Sequence, residues 1–415
     1  MAEAARETLR RAASNGGSYL AVLLVTFVAA DWCQHLSSEQ PVLKGQPLSI
    51  VVTALGFGIA LLIWLALPRR DRARGWLAAF LLTMVGAWVV HLVLAVVHGD
   101  AFNHTVWLVV PILLLVFFKP PRVAEGWLAL TLFGWAVALV LVATRAMEIL
   151  GVTEIPFRGD YLIQFDTQNY WLPLSGYLGV EGRWPGPFGH SAQTGLAAAL
   201  LVVLGLARWN RSSLLFVPVG VLTLLLTGTR SAYMAVLVGV GLLLLFSHWG
   251  PLKRFSTRLR IGIGVAVAAA VAAALIIKGP GLTGREEIWS AFIDLWHSSP
   301  WIGTGTTGIM TSGTMAQEAF HAHNMFIDEL ARYGLLGMLT LTAALIIGFR
   351  EALLGAMKGC AAPLALISTY VVANLTNGLY SLLALSQESM LVIVCVALAA
   401  AWLREDSTLE VRAAR

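Results

Sequence analysis

The chain has 415 residues, of which 58% are hydrophobic and 12% are charged. Because a soluble domain usually carries about a quarter charged residues, this composition excludes an ordinary soluble protein. Apolar runs recur along the chain, and many reach the roughly 20 residues that a helix needs to cross a bilayer. We therefore expect an all-α polytopic membrane protein, in which the distribution of charge matters more than the net charge of +5.

Apolar segments predict about twelve transmembrane helices in a single transmembrane domain that covers residues 1–415. In chain order the predicted spans are 19–36, 48–67, 76–97, 104–118, 127–147, 190–207, 213–228, 230–247, 261–278, 324–349, 361–381 and 386–403. The first follows a basic N-terminus and so resembles a signal peptide, but its apolar character continues to Leu36. We expect it to be retained, because the alternation of the later loops needs it.

Most of the 28 lysine and arginine residues fall on one side of these spans. They are Arg6, Arg10, Arg11, Arg69, Arg70, Arg72, Arg74, Lys119, Arg122, Arg208, Arg211, Lys253, Arg254, Arg258, Arg260, Arg350, Lys358, Arg404, Arg412 and Arg415. By the positive-inside rule that side is cytoplasmic, which predicts that both termini are cytoplasmic. On the other side we expect two long loops, 148–189 and 279–323, and long ordered loops are usually functional.

The second long loop has the pattern of a short amphipathic helix. Thr283 and Glu286 have capping-box spacing, which predicts a helix start. An apolar stripe follows at helical spacing, formed by Ile288, Trp289, Phe292, Leu295 and Trp296. Pro300, Gly303 and Gly305 are expected to end the helix, which would suit the membrane interface.

Two arginines stand where predicted helices begin. Arg285 lies in the first turn of the amphipathic helix, where it either binds an anion or pairs with the neighbouring Glu286 or Glu287. Arg230 follows a tight Thr-Gly-Thr turn between two spans. It either reaches a lipid headgroup or enters a cavity.

His323 opens the tenth predicted span, beside Asn324 and two residues after His321. A histidine at a helix start is usually a cap or a structural hydrogen-bonding group. With arginines on the same face, however, nearby positive charge would lower the pKa of the imidazole and favour the neutral form that acts as a base. Asn324 is expected to orient this histidine.

The first long loop adds polar candidates for substrate contact: Arg158, Arg183 and His190. The aromatic residues Tyr170, Trp171 and Trp184 either stack on sugar rings or belong to an interfacial aromatic belt.

Metal chemistry has no support in the residue pattern. Asp-x-Asp and His-x-x-x-His spacings are missing, and Cys33, Cys360 and Cys395 lie in separate segments. Arginine can stabilise a departing pyrophosphate instead, through bidentate charge-assisted hydrogen bonds. We therefore expect no metal and no cofactor.

Several blocks together resemble the O-antigen ligase and polymerase superfamily of Gram-negative inner membranes. The strongest is His323-Asn324, nine residues, then Gly334-Leu-Leu-Gly337, which matches the family pattern of His, then Asn, Ser or Gln, nine residues, Gly, two residues, and Gly, Thr or Tyr. Supporting blocks are Gly284-Arg285 with Trp289, Pro300 with its following glycines, and Thr-Gly-Thr-Arg230. Together they cover roughly residues 186–340.

The resemblance implies a GT-C-type glycosyltransferase of the bacterial inner membrane with a periplasmic active site. A ligase of this family moves a polysaccharide from undecaprenyl pyrophosphate to lipid A–core, with inversion and without a metal. The family's essential arginines correspond to Arg230 and Arg285, and its essential histidine corresponds to His323. His321, Asn324, Trp289 and the loop residues named above are the expected substrate contacts. Membrane lipids are expected partners, and nucleic acid is not.

Three alternatives remain open on the sequence. An O-antigen polymerase and a protein O-oligosaccharyltransferase would use the same donor and much of the same motif set. A transporter would instead place ionisable residues near the bilayer midplane, often in paired halves. His91 in the third span fits that pattern, although a core histidine is the simpler reading.

Overall fold

The computed structural model describes residues 19–35, 41–67, 72–73, 75–100, 109–150, 184, 186–188, 190–208, 213–246, 285–319, 321–377 and 387–413. Within these residues all regular structure is helical. The first eight α-helices are α1 (Tyr19–His35), α2 (Pro41–Ala66), α3 (Gly75–His98), α4 (Val109–Phe118), α5 (Val123–Ile149), α6 (Ser191–Arg208), α7 (Phe216–Thr227) and α8 (Arg230–Phe246). The others are α9 (Arg285–Ser298), α10 (Gly305–Met310), α11 (Met315–Ala319), α12 (Met325–Met357), α13 (Ala362–Asn377) and α14 (Gln387–Ala413).

The prediction of an all-helical membrane protein is confirmed. Five described segments are long and apolar enough to cross a bilayer: Leu48–Ala66 in α2, and helices α3, α5, α6 and α12. Shorter apolar helices of 10–17 residues lie in the regions of α1, α7, α8 and α13. The count of twelve spans stays a prediction, and the ninth predicted span, 261–278, lies outside the described residues.

Exposed apolar side chains identify the lipid-facing surface. Along α2, Leu55, Leu62 and Leu65 are 63%, 56% and 60% exposed, and on α5 Leu139 is 62% exposed. Water would make such a continuous apolar surface unfavourable, whereas hydrocarbon chains cover it at no cost. The exposed leucines are therefore the expected outside of a bundle surrounded by lipid.

Helix α6 forms the centre of the bundle. From Leu196 to Leu204 no side chain is more than 5% exposed. Helices α5, α7, α8 and α13 pack around it, so α6 is apolar on all sides, as a fully enclosed helix must be. At Gly195 a Cβ atom would lie 3.1 Å from the Cβ of Ala232, so glycine permits the close approach of α6 and α8.

The long helix α12 is broken at Gly334, where φ is 63° and ψ is −162°. Backbone groups of the preceding loop replace the lost helical hydrogen bonds: Leu335 N–H donates to Pro300 O (2.9 Å) and Thr304 N–H donates to Ala331 O (2.8 Å). A Cβ at position 334 would lie 2.4 Å from the carbonyl carbon of Trp301. The first glycine of the predicted motif therefore lets a loop insert against the helix backbone.

Cationic side chains hold together the end of the bundle that lies opposite the start of α12. Lys119 Nζ donates to the carbonyl of Leu67 (2.8 Å), and Arg404 Nη2 donates to Pro121 O (3.3 Å). Lys358, at the end of α12 far from Met325, forms an ion pair with Asp406 (3.1 Å). All three basic residues belong to the set that the charge pattern grouped on one side, and Lys119 and Arg404 satisfy carbonyls in the connections between helices.

Candidate active site

The predicted amphipathic helix exists as α9, which begins at Arg285 and ends at Ser298. Thr283, the predicted cap, lies outside the described residues. Phe292 on the apolar stripe is fully buried and packs in a small cluster with Ile309, Ala322 and Ala331. The stripe therefore packs largely against protein, at the start of α12, rather than against the membrane interface as expected.

Ala322, between the two histidines, is fully buried, and both of its backbone groups are held by side chains. Trp289 Nε1 donates to Ala322 O at 2.7 Å. The Ala322 N–H donates to Asp328 Oδ1 at 3.1 Å. Trp289 thus holds residues His321–His323, the histidine loop, in place, and its indole N–H donates in this contact.

Asn324 is the N-cap of α12. Its side-chain Oδ1 accepts hydrogen bonds from the N–H groups of Phe326 (2.9 Å) and Ile327 (3.3 Å). These bonds satisfy donors that a helix start leaves without intrahelical partners. The expectation that Asn324 orients the His323 side chain is corrected accordingly, because the asparagine oxygen is directed to the helix backbone.

His323 has a left-handed backbone, with φ of 51°. This conformation is uncommon for a residue with a side chain, and it persists only where the surroundings hold it. The Ala322 hydrogen bonds on one side and the Asn324 cap on the other provide that hold. No sequence pattern predicted this conformation, which sets the direction in which the imidazole leaves the chain.

Burial and neighbouring positive charge lower the pKa of His323 to about 4. Burial has the largest effect, followed by the charges of Arg285, His321 and His190, while Asp328 acts in the opposite direction. At neutral pH the imidazole is therefore uncharged and can accept a proton. Burial also lowers the pKa of His321, where Arg332 lowers it further and Asp328 raises it.

His190 comes into the same charged neighbourhood from the end of the first long loop. Its Nδ1 accepts a hydrogen bond from Ala192 N–H (3.1 Å) at the start of α6. Because Nδ1 is the acceptor, a neutral His190 carries its proton on Nε2.

The segment before His190 is tied to the bundle by Trp184, which is 3% exposed. Its indole donates to Glu148 Oε1 (2.8 Å), and its backbone N–H donates to Leu226 O (3.1 Å). The proposal that Trp184 stacks on a sugar ring is therefore wrong. Arg158 and Arg183, together with Tyr170 and Trp171, lie outside the described residues.

Arg230 begins α8, directly after the Thr-Gly-Thr turn, and its side chain is exposed. Gly228 ends α7 in a left-handed conformation, which makes the turn tight. Thr229 Oγ1 donates to Ser191 O at 3.0 Å, and Ser191 follows His190. The start of α8 is thus joined to the start of α6, next to a histidine that acts electrostatically on His323.

His91 is not an isolated intramembrane histidine. Its Nε2 contacts Glu329 of α12, its Nδ1 contacts Ala87 O (2.7 Å), and its ring meets Tyr333 edge-on at 4.2 Å. Gly337 leaves room for Tyr333 and Glu329, because a Cβ there would lie 2.4 Å from the Tyr333 Cβ. The contacts agree with a core histidine that joins α3 to α12.

Two residue groups that the sequence did not single out complete this region. Asp328 holds the histidine loop, and Arg332 forms an ion pair with it (2.7 Å). Asp100, after α3, accepts from Thr306 N–H (2.9 Å) and Thr307 N–H (2.7 Å). In the sequence, only the spacing of Asp328 and Arg332, four residues apart on a predicted helix, indicated such a contact.

In a comparison with protein families, a family described as O-antigen ligase matches residues 214–342, which is less than half of the chain. This part of the chain is therefore similar to the O-antigen ligase family. The matched range includes Arg230, Arg285 and the complete His323–Gly337 motif. No curated protein matches the chain.

Members of the O-antigen ligase family are glycosyltransferase-like ligases and polymerases that use lipid-linked glycans in a membrane. The recognised family and the helical membrane fold therefore agree with each other. Arg285 and His321, within the matched range, and His190, before it, all act electrostatically on His323.

Trp289→Phe is expected to lower the transfer rate by about 3- to 10-fold, because it removes one hydrogen bond worth roughly 1 kcal/mol. The bond lost is the one to Ala322 O, so the effect should appear in kcat. The measurement is initial-rate kinetics of the purified variant. Trp301→Phe is the matched control, since Trp301 is 65% exposed, and an equal loss there would contradict the role of Trp289.

Proposed function

We propose that this chain is an O-antigen ligase. It transfers a polysaccharide from undecaprenyl pyrophosphate to lipid A–core at the periplasmic face of the bacterial inner membrane. The reaction inverts the anomeric centre and needs no metal. The observation that carries the proposal is the position of His323 in the matched family motif, beside Ala322, whose backbone is held by Trp289 and Asp328, and within electrostatic reach of Arg285.

On the donor side, the proposal assigns the pyrophosphate to Arg285 and Arg230. Arg285 is the first residue of α9, at the end of the helix where the helix dipole also favours an anion. Arg230 is exposed at the start of α8, in the same kind of position. Guanidinium groups stabilise the charge that develops on the leaving pyrophosphate.

On the acceptor side, the proposal makes His323 the general base. A sugar hydroxyl is a weak nucleophile, and removing its proton as it attacks the anomeric carbon raises its reactivity. The C–O bond to the new sugar forms as the bond to the pyrophosphate oxygen breaks, and the hydroxyl proton passes to the imidazole. His190 and His321 are proposed substrate contacts beside it.

The test is transfer in vitro by the purified chain from an undecaprenyl-pyrophosphate glycan to lipid A–core, with a chelator present. A second reaction replaces the lipid A–core with a second lipid-linked repeat unit. Product only with lipid A–core supports the ligase. Product only with the second repeat unit would identify a polymerase, and loss of product with the chelator would refute the metal-free mechanism.

The pH dependence of kcat/KM should show an acidic limb near pH 4, well below the 6.5 of an ordinary histidine, because His323 must be neutral to act as a base.

The pKa of His323 also affects stability, because the folded chain binds this proton near pH 4 and the unfolded chain binds it near pH 6.5. The free energy of unfolding therefore falls as the pH drops from 6.5 to 4. The folded fraction is measured at each pH, and a limb near 6.5 with the protein still folded would contradict the assignment.

A further inference from the structure

We infer that Asp328 is a positioning residue for His323, acting through the backbone N–H of Ala322 and fixed from behind by Arg332 and Thr306. This inference rests on the proposed function, because it concerns the group proposed as the base. It assigns a role to a carboxylate, a cation and a hydroxyl that the reaction itself does not use.

The two oxygens of Asp328 accept hydrogen bonds from a residue before the helix and from a residue one turn further along it. Oδ1 accepts from Ala322 N–H (3.1 Å), and Oδ2 accepts from Arg332 Nε (2.7 Å). An aspartate in the first turn of a helix would ordinarily accept from the free N–H groups of that turn. Here Asn324 caps the helix, so Asp328 can reach back to the histidine loop.

The Ala322 peptide is the point at which this carboxylate controls the histidines. Ala322 is fully buried, and Trp289 holds its carbonyl from the opposite side. The next residue, His323, has the left-handed backbone. These two bonds hold the peptide groups on either side of the Ala322 Cα, so a backbone rotation at Ala322 would redirect the imidazole. Misplacement of a catalytic group by about 1 Å can cost about 100-fold in rate.

Arg332 fixes the orientation of the Asp328 carboxylate. Its side chain is 9% exposed, so the ion pair is largely removed from water. Arg332 Nη1 also donates to Thr306 Oγ1 at 2.9 Å, and the Thr306 N–H is held by Asp100 at the end of α3. The carboxylate is thereby anchored to a second transmembrane helix as well as to its own.

The electrostatic setting agrees with this role. Among the described charged groups that act on His323, Asp328 alone is negative, while Arg285, His321 and His190 are positive when protonated. A carboxylate that contacted the imidazole directly would raise its pKa strongly and favour the charged form. Binding Ala322 N–H instead lets Asp328 hold the loop while the base stays neutral at pH 7.

The test is a double-mutant cycle of Asp328→Ala with His323→Ala in the full-length chain, using the in vitro transfer assay. Asp328→Ala alone is expected to lower kcat by about 10- to 100-fold, with KM for the lipid-linked donor changed less than threefold. In the His323→Ala background the same substitution should cost less than threefold, because the group it positions is gone. Losses that multiply in the double variant would overturn the inference.

A conservative variant guards against loss of folding. Asp328→Asn keeps an oxygen that can accept from Ala322 N–H, and its partner change Arg332→Gln removes the cation that would otherwise be left buried and unpaired. The pair is expected to retain kcat within about tenfold of the parent chain. A pair that folds but is as slow as His323→Ala would overturn the inference.

Two further controls distinguish the positioning role of Asp328 from the proposed role of His323 as the base. Asp294→Asn removes an exposed carboxylate from α9 and should leave kcat unchanged, so an equal loss there would contradict a specific role for Asp328. Full activity of His323→Ala would refute the proposed base itself. Loss of activity in His323→Ala together with normal kinetics of Asp328→Ala would refute only the positioning role.

Discussion

Replacing His323 with alanine is expected to lower kcat by about 10²- to 10⁴-fold while the protein stays folded. The expected size is that of a lost general base. The side chain is partly buried, but its loop is held through the backbone of Ala322 and through the Asn324 cap, so the fold does not depend on the imidazole. Initial rates with purified protein, at saturating donor, give the measurement.

His297→Ala is the matched control for this variant. His297 is exposed in the last turn of α9, where its ring stacks against Trp296. It shares the side-chain chemistry and the same face of the protein, but no described contact connects it to Ala322 or His323. Retention of more than a tenth of the parent kcat by His323→Ala, with His297→Ala unchanged, would exclude the imidazole as the base.

Gly334→Ala is expected to destabilise the protein and to lower transfer more than tenfold. Its backbone conformation costs a residue with a Cβ about 1–3 kcal/mol. In addition, the new Cβ would lie 2.4 Å from the backbone carbon of Trp301, so the Pro300–Thr304 loop would have to move. That loop leads into α10, which carries Thr306, the partner of Arg332. Thermal unfolding in detergent and initial rates measure the two effects.

Two other glycines separate the causes of that loss. Gly313 has a similar φ of 65°, but no atom lies within 4 Å of a Cβ built there. Gly313→Ala should therefore show only the conformational cost, about 1–2 kcal/mol. Gly86→Ala, in the open face of α3, should be neutral or slightly stabilising. If Gly334→Ala is no more harmful than Gly313→Ala, the packing of the loop against α12 is not important.

The sequence predicted most of the helices because bilayer crossing is a matter of local composition. Apolar runs of sufficient length identify α3, α5, α6 and α12 without any knowledge of their partners. The end of α9 was also predictable, since Pro300 and the following glycines stop a helix by local conformational rules. The break at Gly334 was not, because the apolar pattern runs through it and only a loop from elsewhere satisfies the freed N–H groups.

The site was predicted in part for a similar reason. His323, Arg285 and Arg230 stand at helix ends, and their motif spacing singles them out. The residues that hold the site in place do not share this property. Asp100 and Thr306 are 206 residues apart, and Trp184 and Glu148 are joined across a long loop, so no local pattern announces either contact. Asn324 was assigned to the wrong partner because capping geometry becomes visible only once the helix start is fixed.

The break in α12 at Gly334 separates the part of the helix that crosses the bilayer from the part next to the candidate site. The part from Leu335 to Met357 is about 35 Å long at 1.5 Å per residue, which already exceeds a hydrocarbon core of about 30 Å. Residues 325–333 are therefore not needed to cross the hydrocarbon core. They contact α3 through Glu329 and follow directly on the histidine loop. Lipid thickness acts mainly on the longer part, so we expect the position of His323 to change little when the bilayer thickness changes.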